Sequence, residues 1–95
     1  MPVPPTERLG PAAVPALWRL ARLDHDAVRG RPVLLYPEGA VFLNDTGLAI
    51  LELCDGRRTL SAITAELSER YDADVADDVT DFLMDLVQRE LVDVR

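Results

Sequence analysis

Val33-Leu34-Leu35-Tyr36-Pro37-Glu38-Gly39-Ala40-Val41-Phe42-Leu43 is the stretch that decides the fold. Two apolar runs flank Tyr36-Pro37-Glu38-Gly39, which carries proline at the second position of a type I turn and glycine at the fourth. Runs of this length on either side of a turn read as a hairpin with strands over 33–36 and 40–43. Alternation puts Val33, Leu35, Val41 and Leu43 on one set of faces, and Leu34, Tyr36, Ala40 and Phe42 on the other. Both sets are apolar, which usually means that both are covered.

Upstream, residues 17–26 fit two templates. Leu17, Leu20 and Leu23 suit a helix, whereas Trp18, Leu20 and Arg22 suit an alternating strand. The hairpin that follows, after a turn marked by Gly30 and Pro32, decides for the strand. Downstream the spacing becomes helical. Asn44 or Asp45 caps a first helix with Leu48, Ile50, Leu51 and Leu53, ending at Gly56. Thr59 caps a second, with Leu60, Ile63 and Leu67 on one face. Residues 71–73 connect it to a third, capped by Asp74, whose stripe is Val75, Val79, Phe82, Leu83 and Leu86. Asp77 and Asp78 lie near its positive N-terminal end. Phe82, Asp85 and Arg89 border that stripe on one side, Leu83 and Val87 on the other. The expected fold is α+β and winged helix-turn-helix-like: a three-stranded antiparallel sheet followed by three helices. Three helices scarcely cover both faces of such a sheet, which hints at a docking surface.

Residues 1–16 hold five of the seven prolines, which fix φ and donate no hydrogen bond. They read as an arm without regular structure, and residues 17–95 as the domain. The arm is expected to be loose or to be exchanged between two chains of a homodimer, since Val3, Leu9 and Val14 can use a partner's surface. No apolar run approaches the ~20 residues that span a bilayer, and no secretion signal is visible. Cys54 is the single cysteine, so no intramolecular disulfide forms, and the cytoplasm is the expected compartment. Residues 1–35 carry five Arg against three acids, residues 36–95 five Arg against fourteen, and there is no Lys in a chain of net charge −7. Such a surface repels phosphate backbones and anionic lipid, which argues against nucleic acid and membrane as partners.

Catalytic constellations are absent from the sequence. His25 is the sole histidine and reads as a strand-end surface residue, and Cys54 continues a helical apolar pattern. Neither zinc spacing, nor a Cys/His pair, nor a phosphate loop is present. Asp77, Asp78, Asp81 and Asp85 read as a solvated helix face. A winged DNA reader would bring the third helix to phosphates, yet that helix region holds six acids against Arg89. An acyl carrier needs serine in an Asp-Ser-Leu setting, whereas Ser61 lies in Leu60-Ser61-Ala62 and Ser68 in Leu67-Ser68-Glu69. A peptide-binding module needs an open strand edge, and residues 40–43 carry no charge to block pairing.

Leu34-Leu35-Tyr36-Pro37-Glu38-Gly39, Leu51-Glu52-Leu53-Cys54-Asp55-Gly56, Thr59 with Ile63, and Asp78-Val79 with Phe82-Leu83 resemble the PqqD family of pyrroloquinoline quinone biosynthesis. The resemblance runs from about Trp18 to the C-terminus, with Glu90 standing where related sequences often have glycine. It implies a peptide chaperone without chemistry or cofactor of its own. Such a chaperone binds the precursor peptide PqqA and presents it to the radical SAM enzyme PqqE, which crosslinks a Glu and a Tyr of that peptide. PqqD proteins are similar to RiPP recognition elements, in which a leader peptide adds to the third strand and packs against the third helix. Carried onto this chain, the peptide-binding candidates are Ala40, Val41, Phe42 and Leu43 of the strand, and Phe82, Leu83, Asp85 and Val87 of the helix.

Overall fold

The computed structural model describes residues 9–95. In chain order these form β1 (Pro15–Leu17), β2 (Arg22–Asp26), β3 (Arg31–Tyr36), β4 (Gly39–Phe42), α1 (Asp45–Glu52), α2 (Leu60–Tyr71), α3 (Ala76–Gln88) and β5 (Val92–Val94). The hairpin read from the sequence supplies the central strand and one edge strand of an antiparallel sheet of order β2-β3-β4. None of residues 37–39 has positive φ, in keeping with the type I reading.

The register corrects the assignment of faces. Tyr36 pairs with Gly39, so odd positions of β3 oppose even positions of β4: Val33 faces Phe42, Leu34 faces Val41 and Leu35 faces Ala40. Paired residues share a face, and the two-residue loop therefore groups Leu34 and Tyr36 with Val41 and Leu43. The row Leu23, Leu34 and Val41 turns toward the core, where Leu34 is fully buried and Leu43 is 2% exposed. Val33, Leu35, Ala40 and Phe42 lie on the outer face. Val33 is buried there, while Phe42 is 39% exposed with the Arg29 guanidinium 4.7 Å from its ring centroid. A cation resting on an aromatic ring is a favourable partial cover for an apolar face.

Of the proline-rich segment, residues 9–14 hold no helix or strand, and Pro15 and Ala16 enter β1. From Leu9 onward the segment packs on its own domain: Leu9 joins the core, and β1 pairs antiparallel with β5. Pro11 and Ala13 carbonyls accept the Ser61 and Leu60 amides at 3.0 and 2.7 Å, satisfying donors that the start of α2 leaves free. Pro15 is tolerated because Val14 and Arg95 exchange both main-chain bonds, which leaves its missing N–H at a non-bonded position of the β1–β5 ladder. On its other side β1 meets the chain after α1, with Cys54 O accepting from Leu17 and Gly56 donating to Pro15 O. Residues 1–8, including Val3, lie outside the described residues. The single strand expected over 17–26 is split as well: β1 ends at Leu17, the chain turns with Ala21 N donating to Trp18 O, and β2 starts at Arg22.

The helices follow their caps. Asn44 Oδ1 accepts from Gly47 N at 2.7 Å and Thr59 Oγ1 from Ala62 N at 3.1 Å. The first helix stops at Glu52, before Gly56; that glycine instead takes φ +77° beneath the Arg95 guanidinium, which a side chain would strike. Val75 occupies the cap position of α3, and Asp74 Oδ1 reaches the Ala76 amide at 3.1 Å from one residue further out. Ile63, Leu67, Val79, Leu83 and Leu86 bury fully or almost so between the helices and the sheet.

Candidate functional site

The two edges of the main sheet differ in kind. On β2, Arg22, Asp24 and Asp26 carry charge and His25 is polar, which discourages pairing with another chain. On β4 the residues are Gly39, Ala40, Val41 and Phe42, with no charge. Leu43 N donates to Pro32 O at 2.9 Å. Antiparallel bonding alternates, so Val41 and Gly39 direct their main-chain groups to β3, and Ala40 and Phe42 direct theirs outward. The unpaired donors and acceptors of this edge thus belong to those two residues.

The third helix comes near the hairpin at two places. A side chain at Gly47 would meet the Phe82 ring at 3.3 Å, which places Phe82 at the corner where β4 leads into α1. At the other end, Arg89 and Glu90 come to the Tyr36 and Glu38 end of the hairpin. Of the candidate helix residues, Leu83 and Val87 are buried and belong to the core, as does Leu43, which follows the end of β4 rather than forming part of the strand expected over 40–43. Phe82 is half-buried and Asp85 is exposed, its carboxylate 3.7 Å from Arg89. The helix border that retains surface is therefore Phe82, Asp85 and Arg89; on the strand, Ala40 and Phe42 are exposed on the outer face and Val41 is half-buried on the core side.

Sequence reasoning missed a cleft at the hairpin end. It has a volume of about 390 Å³ and is lined by Trp18, Tyr36, Glu38, Arg89, Glu90, Leu91 and Asp93. Two signals pointed there: a lone tryptophan just before the sheet, and a glutamate in a position that glycine often fills. Glu90 has φ +62°. Leu91 N donates to Leu86 O and Glu90 N to Val87 O, the paired bonds of a helix end that turns through a left-handed residue.

Other titratable groups serve the scaffold. Burial pushes the Cys54 thiol up to about 12, and its Sγ lies 3.3 Å from Ile50 O, which fits a packing role. Asp55 accepts from the Arg57 and Arg58 amides and pairs with the Arg58 guanidinium at 2.8 Å; these amides hold its carboxyl below the ordinary value. Asp26 repeats the device with Arg29 and Val28 and is lowered for the same reason. Among the described residues, no group of three or more His, Cys, Asp or Glu is placed to hold a metal ion, and no helix is long and apolar enough to cross a membrane.

Comparison with known proteins gives one consistent answer. The family profile for Coenzyme PQQ synthesis protein D (PqqD) matches residues 32–92. A PqqA binding protein of Kluyvera intermedia is 42% identical over 84 residues, 86% of this chain and 91% of its own. One from Rhizobium meliloti is 38% identical, with 87% and 88% covered. The solution NMR structure of the PqqD part of Methylobacterium extorquens PqqCD, a functional, stand-alone RiPP recognition element, superposes with a TM-score of 0.80 at 38% identity, covering 96% of this chain and 99% of that one. With its three-stranded sheet, three helices and these relatives, the chain belongs to the PqqD family.

Proposed function

We propose that this chain is a non-catalytic peptide chaperone of pyrroloquinoline quinone synthesis. It binds the PqqA precursor as an added strand on β4, flanked by the Phe82 border of α3, and presents it to the radical SAM enzyme PqqE. The observation that carries the reading is the contrast between edges: β2 is guarded by charge and β4 is open and uncharged. Main-chain bonds from Ala40 and Phe42 supply affinity in this arrangement, and side-chain contacts with Val41, Phe42, Phe82 and Asp85 supply selectivity. The PqqA-binding names of the relatives point the same way. An open edge also admits a second copy of the chain, so homodimer formation through β4 competes with the peptide.

Ala40→Pro tests the reading. It deletes an outward N–H on an edge strand, a place where proline is accepted without loss of the β3–β4 ladder. Affinity for synthetic PqqA, measured by calorimetry, is expected to fall at least tenfold, about 1.4 kcal/mol, with the circular dichroism spectrum unchanged. Unaltered affinity in the folded variant would refute pairing at this edge.

A further inference from the structure

The cleft beside the hairpin turn has a chemistry of its own. Trp18 and Tyr36 are half-buried in its wall, Leu91 is buried beneath, and Glu38, Glu90 and Asp93 stand exposed around it. Among the described residues none of these three carboxylates is in an ion pair, and the one cation of the lining, Arg89, is drawn to Asp85 on its own helix. A concave space with two aromatic rings and a surplus of negative charge favours a cation, through ring quadrupoles and Coulomb attraction together. An acidic side chain would be repelled there. The cleft is lined by Tyr36 and Glu38 of the turn that leads into Gly39, so a strand laid along β4 leaves the edge near its mouth.

We infer that the cleft receives a basic side chain, arginine or lysine, of the same peptide that pairs with β4. The inference rests on the strand-addition reading and adds to it a point of selectivity: the peptide's register is fixed by where its cation falls. Glu38 and Asp93 approach this space from the hairpin and from β5, and Glu90 from the end of α3, so three separate elements converge on one ligand type.

Trp18 is the only tryptophan in the chain, which makes the cleft directly observable. The full-length protein carrying 5-fluorotryptophan is titrated with synthetic PqqA and with copies in which each Lys or Arg is singly replaced by norleucine. The fluorine resonance is expected to shift with the unaltered peptide. One substituted peptide should bind at least fivefold more weakly and leave the resonance in place. Glu38→Gln with Glu90→Gln should weaken the unaltered peptide by a similar factor, yet leave the affinity of that substituted peptide unchanged. Ala40→Pro separates the two claims. If it still binds the peptide fully, the strand-addition reading fails. If it loses binding, while the fluorine resonance stays still in the wild type and the double glutamine variant binds within twofold, the cleft inference alone is overturned.

Discussion

Glu90 ends α3 at φ +62°, a region that costs a side-chain-bearing residue about 1 kcal/mol or more relative to glycine. The paired bonds from Glu90 and Leu91 back to Val87 and Leu86 require that conformation whatever residue occupies it. Glu90→Gly is therefore expected to raise the unfolding free energy by about 1 kcal/mol, seen as a higher midpoint in urea with unchanged slope. An equal or lower midpoint would show that the glutamate is held by contacts that offset its strain. The Glu90 position was legible in the sequence as a departure from glycine, but its backbone geometry was not, because the requirement comes from the turn into β5. Phe42 was likewise legible as a strand residue with an uncertain face. Only the pairing of Val33 with Phe42 decides that it points outward, toward Arg29.

Two loops share one construction. Asp26-Ala27-Val28-Arg29 closes β2 to β3 and Asp55-Gly56-Arg57-Arg58 joins α1 to α2, each with a carboxylate that accepts two following amides and pairs with an arginine three residues on. Both carboxyls are lowered from 3.8 in the folded state. A lowered folded value means that the stabilisation is whole above 3.8 and disappears as pH falls through the folded values. Urea unfolding followed downward from pH 6 should show a loss of stability setting in below about pH 4 that is shallower in the double variant Asp26→Asn, Asp55→Asn; identical slopes would contradict the assignment. The main elements were readable because each carried its own signal: the proline turn for the hairpin, Asn44 and Thr59 for the helix starts. The β1–β5 pair carried none. Three residues give no periodicity, Pro15 argues locally against a strand, and the partner lies at the far end of the chain.

At the scale of the molecule, α3 comes near the hairpin at two places, with Phe82 close to Gly47 just beyond β4 and with Arg89 and Glu90 lining one cleft with Tyr36 and Glu38. The sequence disclosed that a strand of residues 40–43 and the third helix both held surplus apolar surface. It left open which border of the helix was exposed, since Phe82 and Leu83 lie at opposite borders of one apolar stripe and only packing into the core buries Leu83. Under the proposed function the peptide is captured by backbone pairing at β4, and the alternating ladder names the atoms. Amide hydrogen exchange read by NMR, with and without saturating PqqA peptide, tests this most directly. Ala40 and Phe42 amides should exchange freely in the unliganded protein and slow at least tenfold on binding, while Val41, already directed to β3, changes little. Protection that instead appears on β2 or α2, with Ala40 and Phe42 unaffected, would contradict strand addition at β4.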